Sequence, residues 1–568
     1  VAAANEIDFE MNVSRFIGNV FGEYTFKPGL SFKTSWSYDY SGIKEDQYNN
    51  TFTNNGAAVN GSATSYSAVN ASWIGENTLS YVFNVDKNNF SVLLGNSVQV
   101  STFESTRADG EQFPSDDFTR ITDAAVQTSS SSGTSWGIVS YFGRLQYDYD
   151  SKYLATFSMR RDGSSRFGAS NQWGVFPSGA LGWVVSEEDF FDFEDVSNLK
   201  LKASYGLTGN QSGIDNFQAQ GLWSGASYTD NSGTTPLQLG NPDLKWETTK
   251  QLDLGFELGL FDDRLEVTYD YYYKKTIDML LAVPTPLTTG FAELVQNFGE
   301  LENKGMELGI SATVIQTQDL TWNTTFNIAG NRNKILKLAA PFNVYNRDIY
   351  RYEEGIPMFS FYFHEQTGVD PQTGEPIFTD VDGDGSFDPN VDRKIVGDAN
   401  PDFFGGIRNS VNYKNFDFSV FFQYSYGNDQ LNWNRFFQEH GGTRNTNFLT
   451  TQLDRWQQPG DVTMIPQLTS ANYASNLRPS RFVEDGSYIR LKTLNIGYSL
   501  PQDFVDKLGA GVSKVRIYMS GQNLLTFTNY SGLDPEVTST ASTLLTRGIE
   551  FYTVPQSKSI VGGINITF

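Results

Sequence analysis

Between residues 380 and 392 the chain reads Asp380-Val-Asp382-Gly-Asp384-Gly385-Ser386-Phe-Asp388-Pro-Asn-Val-Asp392. Side-chain oxygens fall at the first, third and fifth positions of this run. Gly385 stands sixth, where the backbone must turn sharply, and Ser386 offers its carbonyl at the seventh. Asp388 stands ninth, where a ligand commonly acts through water. Hard oxygen ligands at this spacing wrap one Ca²⁺, so Asp380, Asp382, Asp384, Ser386 and Asp388 are candidate ligands of a structural calcium ion. The twelfth position is Val391, and a carboxylate comes one residue late, at Asp392. Asp392 closes the site if the loop bulges at Pro389-Asn390. A solvated acidic turn is the other reading of the same residues. No amphipathic helices flank the run, so the expected task is to stiffen a long external loop.

Other chemistry is sparse. The chain has no cysteine, hence no disulfide and no thiolate ligand. Its two histidines, His364 and His440, lie far apart in sequence, with nothing like a nucleophile elbow around either. Both read as surface loop residues, and no enzyme is expected. The net charge of −24 argues against a nucleic-acid partner, because phosphate binding needs a basic surface.

The elements that must carry these residues read as strands. In Phe416–Tyr426, Phe416, Phe418, Val420, Phe422, Tyr424 and Tyr426 alternate with Asp417, Ser419, Gln423 and Ser425. Leu254 and Phe256 alternate with Asp253 and Glu257, and Val267 and Tyr269 with Asp270. A period of two with carboxylates on one face suits a wall with lipid outside and a wet lumen inside. Aromatics make up 15% of the chain, a surplus that girdles at two membrane interfaces would use. No apolar run is long enough for a membrane helix, so a spanning structure must be a barrel.

Strands are expected near 14–26, 30–40, 76–86, 89–101, 136–149, 152–162, 173–186, 198–208, 247–259, 265–278, 302–314, 319–331, 402–412, 416–426, 487–500, 512–525 and 559–568. Long polar connections near 41–75, 102–135, 209–246, 333–401, 427–486 and 528–557 alternate with short turns such as Lys27-Pro-Gly29 and Tyr413-Lys-Asn415. Outer-membrane barrels have this asymmetry of short periplasmic turns and long external loops. The last strand alternates Ile560, Ile564 and Ile566 with polar residues and ends on Phe568, as a closing barrel strand does. The expected fold is therefore all-β, a transmembrane antiparallel barrel with about 17 strands present. Counted back from the C-terminus, the first strand runs downward. Single-chain barrels have an even strand number, so residues 1–568 are expected to be the C-terminal part of a larger one.

Several motifs occur in one order: Arg161-Asp-Gly-Ser-Ser-Arg-Phe-Gly168, Asn171-Gln-Trp-Gly-Val-Phe-Pro-Ser178, Gly182-Trp183, Leu199-Lys-Leu-Lys-Ala-Ser-Tyr-Gly-Leu-Thr-Gly-Asn210, Asn241-Pro-Asp-Leu-Lys-Trp-Glu247, Asn303-Lys-Gly-Met-Glu307, Asp485-Gly-Ser-Tyr-Ile-Arg-Leu-Lys492, Asn495-Ile-Gly-Tyr-Ser-Leu-Pro501 and Gly521-Gln-Asn-Leu524. Together they resemble the C-terminal barrel of the SusC/RagA-type TonB-dependent transporters. The resemblance implies a 22-stranded barrel in the bacterial outer membrane, crossed many times by one chain. It implies an N-terminal plug and five first strands that this sequence does not hold. It also implies a SusD-like surface lipoprotein as lid, the TonB–ExbB–ExbD motor acting through the missing N-terminal part, and an oligosaccharide or peptide as cargo. On that reading the loop aromatics Trp223, Tyr228, Trp433, Phe436 and Trp456 stack on sugars or pack against the lid. Trp173, Trp183 and Trp246 suit an interface belt. A passive or structural barrel without energy coupling is the alternative function.

Overall fold

The structure, a computed structural model, describes residues 7–229, 231–344, 348–439, 447–468, 477–509, 511–539 and 547–568. Seventeen strands share one sheet. They are Ile7–Lys27, Leu30–Asn49, Ser62–Val85, Asn88–Glu111, Val126–Tyr149, Tyr153–Ser164, Trp173–Val184, Val196–Asn210, Glu247–Leu260, Leu265–Ile277, Glu300–Gln316, Leu320–Lys337, Phe403–Tyr413, Phe416–Tyr426, Tyr488–Ser499, Lys514–Thr528 and Ser559–Thr567. Each overlaps one of the expected strands.

The first five are longer than alternation implies. The loops expected over 41–75 and 102–135 contract to 50–61 and 112–125. The extensions hold polar runs such as Ser129-Ser-Ser-Ser-Gly-Thr134, whose Ser132 and Ser131 pair with Ser105 and Thr106. Above a membrane both faces of a strand are wet, so the apolar/polar period vanishes. Ladder hydrogen bonds remain, and they leave no mark in hydropathy.

The chain divides into two compact units. The first comprises Val1–Gly182, Ser204–Lys250 and Thr276–Phe298. Its strands from Ile7 to Ser164 form a meander in which each pairs antiparallel with its sequence neighbour. Gly29 closes the first turn with φ 82°, and a Cβ there would stand 2.0 Å from the Val82 carbonyl oxygen, so only glycine fits. Two bands of aromatics mark the apolar face. Near the short turns, Tyr81, Phe83, Phe90 and Tyr147 follow one another at centroid distances of 4.8, 4.9 and 5.1 Å. Further up, Phe16, Tyr38 and Trp73 make contacts of 6.5 and 4.3 Å, and Tyr141 stacks on Trp173. From Trp73 to Phe83 the strand runs roughly 33 Å, which at about 40° of tilt rises about 25 Å, the height of an outer-membrane apolar band.

Trp246 departs from the belt expectation. It is buried with Phe167, Phe176, Ile214, Leu244 and Leu280, and its Nε1–H donates to the Gln172 carbonyl at 2.8 Å. A partner for the indole N–H inside an apolar cluster satisfies Trp better than an interface would. Trp173 and Trp183 remain exposed.

The second unit comprises Trp183–Ala203, Gln251–Lys275 and Gly299–Phe568. Its strands from Glu300 onward again pair with their neighbours in the sheet, ending with Ser559–Thr567 against Lys514–Thr528. Long connections carry small sheets of their own: one of four strands within 342–398, one hairpin of 366–369 with 376–378, and one of three strands drawn from 429–432, 483–485 and 549–550.

Candidate functional site

The sheet of the second unit has one charged and one aromatic face. Lys200 and Lys202 reach Glu257 at 3.3 and 3.5 Å, and Lys202 reaches Asp270 at 3.0 Å. Asp417 pairs with Arg516 at 2.5 Å. Phe256 and Tyr269, the neighbours of Glu257 and Asp270 in sequence, stack at 5.7 Å on the opposite face. Strand geometry sends adjacent side chains to opposite faces, so the ion-paired face is the wet one.

The long connections of this unit build a core of their own. Ile335, Ile349, Tyr350, Tyr352, Phe361, Phe363, Ala399, Leu431, Trp433, Phe436, Phe482 and Ile549 form one buried cluster. Trp433 and Phe436 open a short helix, Trp433–Gln438, capped by the Asn432 side chain on the Arg435 N–H. They stack at 4.5 Å with rings 5° apart and are only 7% and 4% exposed. Buried Glu439 ends this segment. It accepts from Arg435 at 2.7 Å, from Thr451 at 2.6 Å, and from Arg481. A second buried network joins Arg490 to Asp534 at 2.5 Å and to Glu536 at 2.6 Å, with Lys492 on Glu536 at 2.7 Å.

The aspartate run lies beside this core. Ligand oxygens of Asp380, Asp382 and Asp384 come within 4.8 Å of one another. Asp380 accepts from the Gly383 and Gly385 N–H groups at 2.7 and 2.8 Å, and Asp384 from Ser386 N–H and Oγ–H, both at 2.8 Å. Asp382 accepts from the Asp384 N–H. Desolvation and the charges of Asp384 and Asp392 outweigh that bond and raise its carboxyl above the ordinary range. Asp388 and Asp392 stand outside the triad. Asp388 takes the Asn390 N–H and amide at 2.8 and 3.0 Å. Asp392 is buried and ties the run together, accepting from Val381 and Asp388 N–H at 2.7 Å each. Those two backbone donors hold its carboxyl low.

His364 is not a surface residue; it is 1% exposed. Its Nδ1 accepts from the Arg478 N–H at 2.8 Å, which puts the proton on Nε2, donating to the Pro389 carbonyl at 2.9 Å. Phe378 and Phe387 flank the ring. The lone pair is committed to a backbone N–H, so this histidine has none left to act as a base. What the sequence hid is this clamp between the aspartate run and the 478–482 segment. Burial lowers the His364 pKa. The unfolded imidazole, near pKa about 6.5, binds a proton first. The clamp is therefore fully formed above that pH and is lost as pH falls through it toward the lower folded value. Hydrogen exchange at the Arg478 amide is expected to speed up on going from about pH 7.5 to about pH 5, after correction for intrinsic rates. An unchanged protection factor would contradict the neutral clamp.

Of the loop aromatics, Trp433 and Phe436 are corrected: they are core residues, closed to a passing ligand. Trp456 is half-buried, with its ring over Gly374 and its Nε1–H donating to the Pro371 carbonyl at 3.0 Å. It pins one loop to another. In the first unit, Trp223 is 68% exposed on the hairpin Leu222–Tyr228/Asn231–Gln238. The Tyr228 side chain and all of His440 lie outside the described residues.

A family model, "TonB dependent receptor-like, beta-barrel", matches residues 8–524, and the chain belongs to this family. The family is one of transporters and receptors that sit as β-barrels in the outer membrane. TonB-dependent receptor P3 of Formosa agariphila is 36% identical over the whole chain, which spans 59% of that relative. TonB-dependent receptor SusC of Bacteroides thetaiotaomicron is 31% identical over 98% of the chain, and 56% of that relative is covered. Among solved structures, the RagAB peptide transporter superposes with a TM-score of 0.88 at 27% identity, covering all of this chain and 63% of the solved one. The chain thus spans about three fifths of the length of these relatives.

Proposed function

We propose that this chain forms wall and external loops of a TonB-energised nutrient importer of the outer membrane, taking oligosaccharides or peptides. A SusD-like surface lipoprotein closes over its loops, and the TonB–ExbB–ExbD motor drives it from below. The observation that carries this reading is the loop assembly with its own apolar core, set on strands whose polar face is lined by ion pairs. A simple pore needs no such organised external structure. Peptide cargo is what the solved relative's name states for itself, and the exposed Trp223 hairpin would serve either cargo or lid. In cells making the full-length protein as their route for a labelled oligopeptide or oligosaccharide pool, deleting the motor is expected to abolish uptake. Uptake at the normal rate without TonB would favour the passive barrel.

We further propose that Asp380, Asp382 and Asp384, with the Ser386 carbonyl and water, hold one Ca²⁺. Three mutually close carboxylates repel one another unless a cation sits among them. A chelator is expected to raise protease cleavage within 333–401 and leave the barrel folded, and Asp382→Asn to act like the chelator. Cleavage indifferent to chelation would leave an ordinary acidic turn.

A further inference from the structure

The wall of the second unit carries a cleft apart from its ion-paired face. It opens at the ends of Phe403–Tyr413, Phe416–Tyr426, Tyr488–Ser499 and Lys514–Thr528 away from the short turns, with a volume of about 660 Å³. Its floor is Phe403, Tyr424, Tyr426, Ile489 and Phe527. Register sets Phe403 opposite Tyr426, Tyr424 opposite Ile489, and Ile489 opposite Phe527. Alternation puts them on the face of Phe416, Phe418 and Val420, the apolar outside of the wall.

The cleft has a defined height. Phe403 stacks on Tyr426 at 4.9 Å at one end of Phe416–Tyr426, and Phe416 meets Tyr498 at 4.5 Å at the other. The strand between runs roughly 33 Å, rising about 25 Å at about 40° of tilt. The cleft therefore lies where the chains of a lipid meet its headgroup. Its floor is continuous with the lipid-facing wall, so a lipid reaches it by lateral diffusion alone.

The rim is polar and acidic. Asp485, Ser487, Thr528 and Asn529 line it, and no Lys or Arg does. Asp485 is exposed; one of its oxygens accepts from the Ser487 N–H at 2.9 Å. Among the described residues no cation pairs with Asp485, whereas nearby Asp402 is matched by Arg332 at 2.7 Å. An unmatched carboxylate at the edge of low dielectric repels a purely anionic headgroup and attracts an ammonium.

We propose that this cleft holds one membrane lipid whose headgroup carries a protonated amine, with its chains on the aromatic floor and its ammonium at Asp485. The proposal rests on the membrane-barrel reading above. The test uses the full-length protein in bilayers of phosphatidylethanolamine and phosphatidylglycerol, one or the other brominated in its acyl chains. Phe527→Trp reports from the floor and Val420→Trp from the middle of the wall, each as a fluorescence difference against the parent protein. Quenching of Trp at 527 is expected to be at least about twofold stronger with brominated phosphatidylethanolamine, while position 420 shows no preference. Adding Asp485→Asn is expected to remove the preference at 527. Equal quenching at 527 with Asp485 intact would overturn the proposal. So would quenching at 420 with none at 527, which means a protein surface or a second copy fills the cleft. Absence of quenching at 420 sinks the membrane placement itself, a different failure.

Discussion

Glu439→Leu is expected to cost about 3–5 kcal/mol of the stability of the loop assembly, the penalty for stranding a buried charge. The Glu439 side chain is fully buried and accepts from Arg435, Arg481 and Thr451. Its removal leaves Arg481, itself 6% exposed at the side chain, without this carboxylate, and Arg435 with Glu484 alone at 3.1 Å. The segments 429–439 and 477–485 are expected to exchange amide hydrogens and admit protease more readily, while the wall still resists both. The triple change Arg435→Met, Glu439→Leu, Arg481→Met is expected to recover much of the loss, because an apolar replacement for a whole buried network is often neutral or better. A single variant as protected as the parent would show that the network is solvated.

Val420→Arg is expected to cost about 2–4 kcal/mol in denaturant-dependent folding into lipid vesicles, whereas Ser419→Arg next to it costs little. Val420 lies between the aromatic pairs Phe416/Tyr498 and Phe403/Tyr426, opposite Asn409 and Leu494 in register. Ser419 points the other way and accepts from the Asn495 amide at 3.1 Å. An arginine at 420 must snorkel or thin the bilayer, and at 419 it meets water. Equal losses at the two positions would contradict the facing of this strand.

Two parts of the molecule were legible for different reasons. The strand positions followed from a period of two, because a wall between lipid and water forces every second residue to be apolar. Thus Phe418 and Asp417 were assigned opposite faces from sequence alone, and Asp417 meets Arg516 on the polar one. The Asp380–Asp384 spacing was legible because a tight turn brings alternate carboxylates together locally, whatever surrounds it.

Local pattern could not decide contacts between distant segments. His364 read as a surface residue, yet the Arg478 N–H, 114 positions away, fills its lone pair. Trp433 and Phe436 read as stacking surfaces, and packing against Phe482 made them core. Asp392 read as a closing ligand, and its oxygens instead bind the loop's own N–H groups. The polar strand extensions beyond Tyr40 and Ser101 carry no hydropathy signal, and only their partners reveal them. The sequence by itself determined the wall, its two faces and the position of the aspartate turn, all set by short-range periodicity and turn chemistry. Tertiary structure decided which loop residues are buried and which stay open to a ligand, because that depends on long-range packing, for which a single chain has no repeating signature.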